Sequence, residues 1–173
     1  MKWLIWAIAI FILMVLNAGI FSQFYFLPFL PGLLVVFIAI LLMLEDKREW
    51  LVLTVISGVL MDFASGLPDG VLLSSLIAAG GAVYFLTSRL VNREYGWVIL
   101  FATSAVMSLL YFVFSLAVAK LFDLFGLETN IDYAYFFAHK ILWYIVINLV
   151  LTYPVYLYYL LVKKLIVRTQ TRE

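Results

Sequence analysis

The sequence predicts an all-α protein, a polytopic membrane helix bundle with six transmembrane helices and both termini cytoplasmic. Three observations carry that reading. First, 67% of the 173 residues are hydrophobic and only 12% are charged. An ordinary soluble domain is about 45–50% apolar and about 25% charged, and a soluble sphere of this size lacks the interior to hide so much apolar surface. Second, the apolar residues come in long charge-free blocks. The first runs from Trp3 to Leu44, 42 residues, enough for two spans of about 20 residues each. Third, six crossings sort the basic residues nine to two between the two sides, the asymmetry expected of short loops facing the cell interior.

Each span follows from local chemistry. Helix 1 is expected near 3–22 and helix 2 near 27–44, separated by Ser22-Gln23 and followed through Pro28 and Pro31. The apolar stretch of helix 1 is longer than the 7–15 residues of a signal-peptide core and no A-x-A-like site follows, so it reads as an uncleaved anchor. The charged cluster Glu45-Asp46-Lys47-Arg48-Glu49 leads to helix 3 at about 50–65. The turn Ser65-Gly66-Leu67-Pro68-Asp69-Gly70 is strong breaker chemistry; Gly66 suits a helix end and Asp69 suits an N-cap for helix 4. Helix 4 is expected at 70–88, helix 5 at 96–121 and helix 6 at 139–162, the last stopping at Lys163-Lys164. The chain thus reads as a single integral-membrane domain over 1–173. A transmembrane barrel is excluded because its strands would alternate in polarity.

Charge and composition also exclude chemistries. A net charge of +1 with no basic tract argues against nucleic acid as a partner. There is no cysteine, and His139 is the one histidine, so neither a thiolate site nor a histidine metal cluster is expected. His139, with Tyr133, Tyr135, Phe136, Phe137 and Trp143 nearby, belongs to an interfacial aromatic belt. No H-E-x-x-H and no Gly-rich phosphate loop occurs. The reading is of a protein that is not an enzyme and needs no cofactor.

The polar residues inside the apolar blocks are the candidate functional ones. Asp62 is the sole acid within an otherwise uncharged span, which makes it a functional-site candidate by position or a capping residue that accepts from Ser65 or from the backbone of the turn. Thr54, Gly58 and Asp62, and likewise Ser74 and Ala78, recur every four residues, the small-xxx-small spacing of close helix contacts. Helix 5 carries the stripe Ser104, Ser108, Tyr111, Ser115, and helix 6 the stripe Tyr144, Asn148, Thr152, Tyr156. These read as interhelical hydrogen-bonding residues. A sharper possibility is an outward-opening polar network lined by Asn17, Asp62 and Asn148. Pro154 removes a backbone donor inside helix 6, and the basic tail from Lys163 to Arg172 suits anionic headgroups of the lipid bilayer.

The block from Pro31 to Leu90 carries a motif, Gly58-x-x-x-Asp62-x-x-Ser65-Gly66-x-Pro68-x-Gly70. In this motif the chain resembles the rod shape-determining protein MreD family. It departs from the family in having Thr54 where many members have glycine, and Asp69 where the residue is usually apolar. The resemblance implies a non-catalytic, multi-pass subunit of the bacterial cytoplasmic (inner) membrane, part of the cell-elongation complex that maintains cell shape and lateral peptidoglycan synthesis. It further implies an MreC-like bitopic partner and, indirectly, MreB filaments and peptidoglycan synthases. The rival reading, a substrate-binding S component of an energy-coupling-factor vitamin transporter, matches in size and in its six spans. It would need a ligand in an outward polar pocket.

Overall fold

The computed structural model describes residues 1–17, 19, 32–65, 67–90 (without the side chains of 89 and 90), 96–127, 135 and 140–170. Among these the chain is all helical and contains no strand. Six helices follow one another: α1 (Lys2–Leu16), α2 (Gly32–Leu44), α3 (Lys47–Ser65), α4 (Val71–Leu90), α5 (Trp97–Leu124) and α6 (Ile141–Gln170). The expected break at Ser22-Gln23, Pro28, Pro31, Gly66 and His139 lie outside the described residues.

Three helices contain an apolar stretch long enough to cross a membrane: Val71–Ser88 of α4, all of α5, and all of α6. The helices α1 and α2 are apolar but shorter over their described residues. Three expected boundaries shift. Helix α3 begins at Lys47, inside the charged cluster, and not at residue 50. Its 19 residues make it about 28 Å long, close to the thickness of a hydrocarbon core. Helix α5 continues past 121 to Leu124, and Gly126, at φ +83°, turns the chain. Helix α6 does not stop at Lys163-Lys164 but runs on to Gln170. Val162 and Ile166, one turn apart, are buried in the core, so the apolar stripe outlasts the paired lysines and carries the helix with it.

The core is organised around α2. Its sequence, GLLVVFIAILLML, has no polar side chain, and eleven of its 13 residues are buried. A helix that is apolar all round belongs in an interior, and α2 contacts all five other helices. Phe37 of α2 meets Trp6 of α1 and Tyr158 of α6, with ring centroids 6.0 and 6.2 Å apart. The hydroxyl of Tyr158 donates to the carbonyl of Ala9 at 3.1 Å, which ties α6 to α1.

The exterior is apolar and much of the polarity is inside. Trp3, Phe11, Phe63, Phe85, Trp143 and Val150 are exposed, whereas Thr54, Ser57, Asp62, Ser75, Ser108 and Asn148 are buried. That is the reverse of the pattern that water selects.

One end of the bundle gathers the charges. Lys2 pairs with Glu49, and Lys163 pairs with Glu45. Tyr159 donates to Glu45 at 2.7 Å, and the Lys47 ammonium lies 4.8 Å from the ring centre of Tyr84. These contacts bring the start of α1, the link from α2 to α3, the last part of α4 and the C-terminal third of α6 to the same side.

Candidate functional site

The motif residues build one hairpin. Helix α3 ends at Ser65, and α4 starts at Val71. The first amides of a helix have no partner within it, and in an apolar interior each must find one. Asp62, only 7% exposed, supplies the acceptors. Its Oδ1 accepts from the Leu72 amide at 2.8 Å, and its Oδ2 accepts from the Gly70 and Leu73 amides at 3.1 and 3.2 Å. A carboxylate at a helix N-terminus gains from charge-assisted hydrogen bonds and from the helix dipole together.

This corrects the expectation that Asp69 caps α4. Asp69 is exposed, and the capping carboxylate is seven residues earlier in the chain, across the turn. Local spacing favours a neighbour as cap, but the turn places the α3 residue closer to the free amides.

The turn itself is made by the other motif positions. The Ser65 hydroxyl donates to the main-chain carbonyl of Asp62 at 3.0 Å, and its oxygen accepts from the Leu67 amide at 3.2 Å. Of the two acceptor roles read for Asp62, the one toward the backbone of the turn is present, at the Gly70 amide, and the one toward Ser65 is not. The Val71 amide returns to the Pro68 carbonyl at 3.3 Å, and Gly70, third of these four residues, sits at φ +98°. Only glycine adopts that conformation without strain.

Gly58 admits α4. A Cβ at this position would stand 2.9 Å from the Leu73 Cα and 2.5 Å from its Cδ1, so the two backbones meet because glycine is there. One end of the interface is closed by aromatics. Gly80 makes room for Trp50, whose ring lies 2.6 Å from where a Cβ would be, and Trp50 stacks on Tyr84 at 6.1 Å. Thr54 is buried, but its hydroxyl donates to the Trp50 carbonyl in its own helix. Ser74 and Ala78, expected at a helix contact, are instead exposed. The inward face of α4 is Leu72, Ser75, Leu76, Ala79 and Val83, because the Asp62 cap fixes the rotation of α4 about its axis. Gly80 and Leu73 as contact partners could have been found by following that face.

The three residues of the expected polar network have different hydrogen-bond surroundings. Asp62 is committed to the α4 amides. Asn148 is fully buried between α5, α6 and α2. Its Nδ2 donates to Ser108 Oγ at 2.9 Å, and its Oδ1 occupies the space where Gly32 would carry a side chain. Asn17 closes α1. No hydrogen bond joins these three side chains. A groove of about 540 Å³ runs between α1 and α3, lined by Ala7, Ile8, Phe11, Val55, Val59 and Leu60. A smaller cavity of about 160 Å³ lies among Met43, Gly96, Trp97, Leu100 and Tyr156. Neither is lined by Asn17, Asp62 or Asn148.

Of the facing stripes on α5 and α6, only Asn148–Ser108 is hydrogen-bonded across the interface. Ser108, Ser115 and Thr152 each donate back to a carbonyl four residues earlier, of Ser104, Tyr111 and Asn148 respectively. Among the described residues, no group of three or more Asp, Glu, His or Cys side chains gathers as a metal site would require.

The chain matches no protein-family model, and no curated protein or solved structure is significantly similar to it. What fold and site define is a class: an all-α bundle with an apolar exterior, an apolar central helix and a carboxylate-capped helical hairpin.

Proposed function

We propose that this chain is a multi-pass protein of the bacterial cytoplasmic membrane, crossing it six times, and acts as a non-catalytic subunit of a cell-elongation complex. In this reading it resembles the MreD family in role as well as in motif, and it docks an MreC-like bitopic partner laterally. The observation that carries the reading is the hairpin. Gly58, Asp62, Ser65, Pro68 and Gly70 each have a distinct structural task in one tight unit, so the motif works as a scaffold. Both carboxylate oxygens of Asp62 are occupied by backbone amides, which favours a structural role for the one deep acid. The charged end and the outward apolar side chains supply what membrane residence with basic loops inside would need.

A direct test is co-purification of the partner with wild type and with Gly58→Leu, which would push α4 away from α3 at the cost of about 1–3 kcal/mol of overpacking. Partner recovery should fall while the variant remains a monodisperse, folded protein. Unchanged recovery would remove the hairpin from the docking mechanism. The vitamin-transporter reading has less support, because neither the α1–α3 groove nor the cavity beside Trp97 is lined by Asn17, Asp62 or Asn148. A vitamin found by mass spectrometry in the purified protein would restore it.

A further inference from the structure

The seam between α5 and α6 holds polar atoms that the protein does not satisfy. Tyr111 on α5 and Tyr144 and Asn148 on α6 are at most 1% exposed. The Tyr111 and Tyr144 hydroxyls, Asn148 Oδ1 and Ser104 Oγ have no hydrogen-bond partner. Each orphaned group of this kind costs about 1–3 kcal/mol, and lipid offers no relief from outside.

The groups are neighbours. Asn148 is fixed by its bond to Ser108, and Ser108 donates to the Ser104 carbonyl. That leaves Asn148 Oδ1 able only to accept. The Tyr144 hydroxyl lies beside the Asn148 amide without the geometry of a hydrogen bond. The Tyr111 hydroxyl likewise lies beside Ser115 without the geometry of a hydrogen bond, Ser115 donating instead to the Tyr111 carbonyl; Tyr111 is also within electrostatic reach of Tyr144, whose ring centroid is 5.6 Å from that of Phe112.

The unmet need is for a small, neutral molecule that both donates and accepts. Two phenols offer donors and lone pairs and an amide oxygen offers an acceptor, while the charge within electrostatic reach of Tyr111, the Asp62 carboxylate, is committed to three amides. Water is such a molecule, and buried water commonly makes about three hydrogen bonds to groups left otherwise unsatisfied. We propose that the α5–α6 seam is an internal hydration site in which water bridges Tyr111, Tyr144 and Asn148. At the α3–α4 turn the Gly70, Leu72 and Leu73 amides are met by the Asp62 carboxylate, whereas the seam is completed by solvent.

Pulsed X-ray hydroxyl-radical labelling of the purified chain in lipid nanodiscs tests this, because a bound water generates the radical beside the side chains that hold it. Tyr111 and Tyr144 should be modified several-fold faster than Phe37, which is equally buried but packed among apolar and aromatic side chains. Labelling as slow as that of Phe37 would overturn the proposal, including the case in which Tyr144 simply bonds Asn148 directly. Tyr111→Phe and Tyr144→Phe keep the ring shape and provide a second reading. If water satisfies the hydroxyls, each substitution lowers the melting temperature, and the pair is less than additive because they share a partner. A raised melting temperature for both would show the hydroxyls to be unpaired and would refute the site.

Discussion

Asp62 is the residue on which the hairpin turns. Replacing it with Ala leaves the Gly70, Leu72 and Leu73 amides without this acceptor in an apolar interior, at a cost of about 3 kcal/mol or more. Asp62→Asn keeps one acceptor oxygen but turns an amide donor toward the remaining backbone donors, so an intermediate loss of about 1–2 kcal/mol is expected. Thermal unfolding of the purified protein in detergent should give the order wild type, Asn, Ala; an Ala variant as stable as wild type would show that the cap is dispensable. The glycines provide a contrast. Gly58→Ala places a methyl group against the Leu73 backbone, whereas Gly81, in the same helix as Gly80, has open space around it. Gly58→Ala should destabilise by about 1–3 kcal/mol, and Gly81→Ala should be neutral or slightly stabilising, since alanine is the better helix former by about 1 kcal/mol.

At the scale of the element, α6 is the helix whose length the sequence obscures. Its 30 residues span about 45 Å, more than a hydrocarbon core of about 30 Å, so its last turns extend beyond any bilayer that the rest of the bundle fits. They are held by Glu45, which accepts from Tyr159 and pairs with Lys163. The Glu45 side chain is nearly buried while Lys163 is more open, so the pair stabilises more than an exposed one, although solvent at the lysine limits the gain to about 1 kcal/mol. Glu45→Ala should speed hydrogen exchange across residues 163–170 and leave the α3–α4 hairpin unchanged. Equal protection in both proteins would mean that Val162 and Ile166 alone anchor this segment. Helix α2 has the opposite character. With no polar group and little choice of face, it is placed by the five helices around it, and a single Phe37→Ala would remove the ring that meets both Trp6 and Tyr158, at about 3–5 kcal/mol.

For the whole molecule, the proposed topology makes a prediction that needs no background correction, because the chain has no cysteine. Single cysteines at Asp46 and Gln170 should react with an impermeant thiol reagent only from the cytoplasmic side, and cysteines at Asp69 and Gly126 only from the opposite side. Reaction of Asp46→Cys from outside would invert or abolish the six-span arrangement. The clustering of Lys2, Glu45, Glu49 and Lys163 in two ion pairs explains why that end tolerates acids as well as bases. The acidic residues there neutralise lysines that would otherwise sit unpaired beside the bundle.

Composition and charge-free length alone predicted the helical class and the six helices that the described residues show, because a backbone set among apolar side chains must satisfy itself within a helix, and charge, glycine and proline mark helix ends. The motif, too, was legible as a turn: Gly70 and Pro68 act where local rules place them. Tertiary structure decided what local rules do not contain. It decided between the two capping candidates that the sequence offered, Asp62 and the nearer Asp69, turned Ser74 and Ala78 outward, carried α6 past its lysine pair, and gave Asp62 and Asn148 separate hydrogen-bond partners. Each of those outcomes depends on how two helices meet in space, and hydrogen bonds across eight to eleven residues follow the rotation of one helix against another, which no spacing within either helix records.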